Sequence, residues 1–169
     1  MKRVRRLRPA AAIGIAVLAL QAGSAVASPL DAGRLFAPGA NICTLVSSTA
    51  IDKAMGITFP PAVRSGTACF WQTGKLGDLN RTIVRISVLP GLPKSRTDAT
   101  VALEKKSGAT VTPVSLSGAK EGELVASKLG SMVSETLYGV YPQGELVVNL
   151  TGAKLTAAQA IATARAAVA

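Results

Sequence analysis

Apolar and polar residues alternate with period two in several stretches of this chain, the pattern of strands with one buried face. Between Ala68 and Thr73, Cys69 and Trp71 fall on one side and Phe70 and Gln72 on the other. Between Thr82 and Leu89, Val84, Ile86 and Val88 alternate with Arg85 and Ser87. The loop Gly74 to Asn80 between these two runs favours a hairpin. Four later stretches also have extended character: Val111 to Leu116, Glu123 to Ser127, Val133 to Tyr141 and Glu145 to Thr151. Tyr141-Pro142-Gln143-Gly144 supplies a turn for the last two.

Helical signals separate these runs. A short helix is predicted over 48–55, opened by Thr49 with Asp52 three residues on and stopped by Gly56. A second follows a Thr97-Asp98 cap through Lys106 and ends at Gly108. A third begins at the capping box Thr156/Gln159 and reaches about Val168. Its large apolar residues are Leu155, Ile161 and Val168, so packing on a sheet has to hold it. Helix, two strands, helix, several strands, helix predicts an α+β domain with a mainly antiparallel sheet and two or three helices packed on one face. The regular strand and helix alternation of a parallel Rossmann-type sheet is absent.

The N-terminal region follows a different pattern. Lys2, Arg3, Arg5, Arg6 and Arg8 precede an apolar run from Ala10 to Leu20, and Ala25-Val26-Ala27 forms an AxA site. These three regions predict a signal peptide over 1–27, cleaved after Ala27, and hence a secreted or extracytoplasmic protein. The apolar run is shorter than the about 20 residues of a membrane-spanning helix, so no stable membrane anchor is expected after cleavage. Leu20-Gln21-Ala22-Gly23-Ser24 carries serine where a lipoprotein has its lipidated cysteine. Residues 28–41, with two prolines, two glycines and no periodicity, are predicted to form an extended leader, and 42–169 a single domain.

Cleavage changes the charge picture. The full chain carries a formal net +10, but fourteen basic and nine acidic residues follow Ala27, a net +5. They are spread singly apart from Lys105-Lys106, without the dense basic stripe and stacking aromatics of a nucleic-acid surface, and no nucleic-acid partner is expected. Weak attraction to an anionic wall polymer remains compatible with this surface.

The chain contains no histidine and two cysteines, Cys43 and Cys69. In an oxidising compartment these thiols are most simply a disulfide that ties the first helix to the first strand. A nucleophilic cysteine lacks its usual base, and two cysteines without histidine fall short of a zinc site. No catalytic residue, cofactor or metal is therefore expected.

Cys43-Thr44-Leu45-Val46, the helix ending at Met55-Gly56, and Cys69-Phe70-Trp71 together resemble an actinobacterial family of small exported domains of unknown function. Many members are lipoproteins with a C-x-L-L opening and a later Cys-x-Trp. The resemblance covers about 42–151 and is most specific in its first third. At the place of the family's glycine-rich turn stands Ser117-Gly118-Ala119-Lys120-Glu121-Gly122, which shares the glycines. The resemblance implies an α+β fold with a disulfide and carries no activity.

The remaining motifs are weak. Ser117 to Lys120 matches SxxK but lies among glycines between strands, without the KTG and SDN partners of penicillin-recognising enzymes. Asp78 and Asn80, or Glu121 and Glu123, lack the ligand count of a calcium loop. Asn80-Arg81-Thr82 and Asn149-Leu150-Thr151 match the glycosylation tripeptide, a frequent chance pattern. Trp71 beside Cys69 reads as core, and Tyr141 is a candidate partner surface. These residues point to an exported non-enzymatic domain that binds a ligand, a wall polymer or a partner protein. The alternative is a small carboxylate-dependent envelope hydrolase drawing on Glu121, Glu123, Glu135 and Glu145, which requires two of them in one cleft.

Overall fold

The computed structural model describes residues 32–169 except 76, 77 and 79. The expected signal peptide 1–27 and the first residues of the expected leader lie outside the described residues. Seven antiparallel strands form one sheet: β1 (Val63–Ser65), β2 (Ala68–Gln72), β3 (Ile83–Pro90), β4 (Thr110–Pro113), β5 (Glu121–Leu129), β6 (Met132–Tyr141) and β7 (Gly144–Gly152). Their spatial order is β1-β2-β3-β7-β6-β5-β4. The chain thus builds a three-strand unit and a four-strand unit, joined where β3 pairs with β7 from Ile83↔Thr151 to Pro90↔Gly144.

Five helices accompany the sheet among the described residues: α1 (Ala32–Leu35), α2 (Ile42–Leu45), α3 (Ser48–Met55), α4 (Lys94–Lys106) and α5 (Ala157–Val168). The expected α+β class, antiparallel sheet and single disulfide are all present. Val84, Ile86 and Val88 of β3 pair with Leu150, Val148 and Leu146 of β7, and Leu137 of β6 pairs with Val148 and with Leu124 of β5. Strand alternation puts all of them on one face. There they form the core with Ile51 and Met55 of α3 and with Ala160, Ala164 and Ala167 of α5. Small residues along α5 allow close approach to the sheet, which answers the shortage of large apolar side chains in that helix.

Local chemistry explains the helix ends. Ser47, rather than Thr49, caps α3 by accepting from the Ala50 N–H, and Gly56 closes it in the left-handed conformation at φ 70°. The capping box of Thr156 and Gln159 opens α5, and Gln159 Nε2 also donates to the Met55 carbonyl at 2.8 Å, joining α5 to α3.

The described part of the expected leader is structured instead of extended. Leu35 and Phe36 are buried in the core, and Phe36 lies 5.5 Å from Tyr141 between ring centroids. Burying two large apolar side chains favours docking over a solvated leader, at roughly 1.5 to 3 kcal/mol for each fully buried residue. The domain accordingly includes residues before 42.

α4 occupies the face opposite the other packed helices. It contacts β4, β5 and β6, and its Thr97 reaches Glu145, which alternates with core-facing Leu146. The helix starts at Lys94 after Pro93, a turn earlier than the Thr97-Asp98 signal, so Thr97 becomes an interior position instead of a cap. Only Thr97 and Val101 of α4 are buried, and Leu103 is 65% exposed.

Candidate binding face

Because α4 covers only part of its face, the rest of that sheet surface has no helix over it. Strand register defines the residues it presents. One row runs Val63, Phe70, Arg85, Asn149, Thr136 from β1 across to β6. The next runs Gln72, Ile83, Thr151, Ser134. Phe70, Ile83, Asn149 and Thr136 are half-buried, while Val63, Gln72 and Arg85 are exposed.

The Arg85 guanidinium carbon sits 5.6 Å from the centroid of the Phe70 ring, and Arg85 Nε donates to Ser87 Oγ at 3.0 Å. The ring's electron-rich face attracts the cation, and the hydroxyl fixes its direction. Among the described residues no carboxylate lies within ion-pair distance of Arg85. Beside it, Asn149 Nδ2 donates to Thr136 Oγ1 at 2.7 Å and to Ser134 Oγ at 3.2 Å, and Asn149 Oδ1 accepts from Thr151 Oγ1 at 3.2 Å. A cation held against an aromatic ring thus adjoins a pre-ordered patch of amide and hydroxyl groups. Pro60, Pro61, Val63, Phe70, Gln72 and Gly74 line a depression of about 310 Å³ next to the pair.

The cysteines are joined as expected. Cys43 and Cys69 form a disulfide with Cα atoms 5.2 Å apart, linking α2 to β2. Such a bond suits an oxidising, extracytoplasmic setting. Trp71 is fully buried and its indole Nε1 donates to Ser48 Oγ at 3.0 Å, so it belongs to the core. No described helix is long and apolar enough to cross a membrane.

Tyr141, the candidate partner surface, is only 3% exposed. Its pairing with Gly144 gives it the parity of Leu137 and Gly139, so the ring points into the helix-covered face against Phe36. Burial pushes its phenol up to about 12, and its hydroxyl has no hydrogen-bond partner among the described residues.

The four candidate carboxylates are not brought into one cleft. Glu135 lies on the core face, paired with Leu150 and Ala126, and is 6% exposed. Glu145, 3% exposed, lies on the other face beneath α4 and accepts from Thr97 Oγ1 at 2.8 Å. Desolvation raises the pKa of both, and the Thr97 hydrogen bond opposes the shift at Glu145. Glu121 pairs with Lys94 Nζ at 3.0 Å, as does Asp98 at 2.8 Å. These contacts, Asp98's first, raise the Lys94 pKa.

Glu121 and Glu123 share a depression of about 370 Å³ at the β4–β5 edge that opens widely to water. It does not enclose a bond between two carboxylates. Ser117 and Lys120 are exposed on the turn before β5, and Asp78 Oδ1 accepts from the Asn80 N–H at 2.8 Å within its own turn.

The sequence reading set Phe70 and Arg85 on the outward side of their strands but assigned them no role. Their signal was a large aromatic and a cation at non-core positions of two strands predicted to be neighbours. The contribution of Asn149 depends on β7 lying beside β3, for which no local signal exists. Comparison with known proteins finds no matching family model, no similar curated protein and no similar solved structure.

Proposed function

We propose that this protein is an exported, non-enzymatic binding domain of the cell envelope or secreted fraction, which holds a ligand, wall polymer or partner protein on the uncovered half of its sheet. The observation that carries this reading is Arg85, fixed over Phe70 without a carboxylate partner among the described residues, on the part of its sheet face that α4 leaves uncovered. A half-buried aromatic carrying an exposed cation beside ordered polar groups is an arrangement suited to recognition. Export is supported by the basic, apolar and AxA order of residues 2–27 and by the Cys43–Cys69 bond. The family resemblance around those cysteines supports the same placement.

Fractionation of the native host tests both parts. The expected product begins at Ser28, occurs outside the cytoplasm, and sediments with envelope material. Combining Phe70→Ala with Arg85→Gln should release it into the soluble extracytoplasmic fraction. A full-length cytoplasmic product refutes export, and unchanged sedimentation of a folded double variant refutes the binding face.

A further inference from the structure

We infer that the uncovered sheet face binds an acid-bearing polysaccharide, with a carboxylate or phosphate oxygen on Arg85 and the sugar chain running across the Asn149 patch. The inference rests on the binding-domain reading and adds the ligand class. Among the residues that strand parity places on this face, in β1 to β3, at 147, 149 and 151 of β7 and at 134 and 136 of β6, Arg85 carries the only formal charge, because Arg64 and Glu135 of the same strands alternate to the other face. Its Nε is engaged by Ser87, which leaves the terminal guanidinium nitrogens as the fork that suits a carboxylate or phosphate. The net +5 of residues 28–169 favours approach of an anion from a distance.

The rest of the face selects among anions. Backbone groups inside a sheet are already bonded to neighbouring strands, so a ligand on this face has to be held by side chains. An acidic peptide gains its main-chain hydrogen bonds at a strand edge instead, by adding to the sheet. A nucleic acid needs several cations and stacking rings, whereas one arginine and one phenylalanine stand here. A polysaccharide brings its own hydroxyls to Gln72, Thr136, Thr151 and Ser134, and an apolar ring face to Phe70 and the Pro60-Pro61 depression. An open sheet surface suits an extended chain over a small molecule that needs enclosure.

Equilibrium binding of the purified, oxidised protein to four probes at low salt decides the matter: polygalacturonate, phosphomannan, neutral dextran and poly-L-glutamate. Binding is expected to polygalacturonate, phosphomannan or both, which distinguishes carboxylate from phosphate, and to be much weaker for dextran and poly-L-glutamate. Arg85→Gln should weaken it about tenfold or more, the loss of one charge-assisted hydrogen-bonding group. Phe70→Ala, or Phe70→Leu if the first does not fold, should weaken it several-fold. Arg165→Gln removes the same charge from the exposed side of α5 on the opposite layer and should leave binding unchanged.

Equal loss from Arg165→Gln overturns the inference, because it means diffuse attraction. Equal binding of poly-L-glutamate overturns the polysaccharide, and no binding to either acidic glycan overturns the ligand class. If the glycans fail while Phe70→Ala with Arg85→Gln still releases the protein from envelope material, the binding-domain reading stands without this ligand.

Discussion

The hydroxyl of Thr97 donates to Glu145 Oε1 at 2.8 Å inside the protein, joining α4 to β7 across 48 positions of sequence. Val101 is the other buried residue of this helix, so much of its seating depends on one polar contact. Thr97→Val keeps the shape but leaves the carboxylate without its donor. It is expected to destabilise by about 1–3 kcal/mol in urea unfolding, the cost of an unpartnered buried acceptor. Glu145→Gln retains an acceptor without a charge and should cost less than Thr97→Val. The reverse order would show that the hydrogen bond is not what holds α4.

Burial raises the pKa of Glu135 and Glu145, which makes their protonated forms the ones that folding favours. Their contribution is fully present below the unfolded glutamate value of about 4.3 and is lost as pH rises through the higher folded values. The stability attributable to these two groups should therefore fall as pH rises above about 4.3, opposite to the usual behaviour of ion-paired carboxylates. Urea midpoints measured across that interval for the parent and for Glu135→Gln combined with Glu145→Gln check the sign. The double variant should lack this downward component; an identical profile in both proteins would remove these residues as its cause.

The Cys43–Cys69 bond closes a separation of 26 residues and ties α2 to β2. Replacing both cysteines by serine should lower stability by roughly 3 to 4 kcal/mol on the chain-entropy account. Alkylation of the protein without reductant should add no label by intact mass, and two after reduction and unfolding. Two labels without reductant would show that the thiols are free.

The Tyr141 hydroxyl is buried with no partner among the described residues, while its ring packs on Phe36. Removing the oxygen relieves a desolvated polar group and preserves the ring contact. Tyr141→Phe is accordingly expected to leave stability unchanged or raise it by up to about 1 kcal/mol. A clear loss in thermal unfolding would mean that the hydroxyl is engaged.

Gly122 is the second residue of β5, and an added Cβ there meets the Val114 carbonyl oxygen. That neighbour is backbone and cannot swing aside. Gly122→Ala should lower the melting temperature by several degrees, corresponding to about 1–3 kcal/mol for a domain of this size. Gly130→Ala provides a contrast, since nothing lies within 4 Å there and only the left-handed turn at φ 61° opposes the side chain.

Elements whose periodicity is long were legible in the sequence: the β2 and β3 alternation, the runs that became β5 to β7, and the capped helices α3 and α5. Short elements were not. β1 has three residues after two prolines, and α1 and α2 have four each, too few for any period to register. Thr97 resembled a cap because a threonine-aspartate pair is a good local start, but Pro93 begins the helix earlier and burial gives the hydroxyl another partner. The candidate site was divided in the same way. Strand parity put Phe70 and Arg85 outward from their own sequence, whereas bringing Asn149 beside Arg85 required the position of a strand more than fifty residues away. Tyr141 shows the limit of composition: an aromatic at a turn is equally compatible with either face until register decides.

The β3–β7 pairing also imposes an order on folding. The β2–β3, β5–β6 and β6–β7 hairpins can each form from neighbouring chain. The seam between the two units must wait until residues near 83 and 151 meet, and only then does the central strand acquire its second partner. Until that encounter, each unit exposes the edge that becomes the middle of the finished sheet. The emerging chain is therefore most vulnerable to pairing with another copy at the place that is best protected once folding is complete.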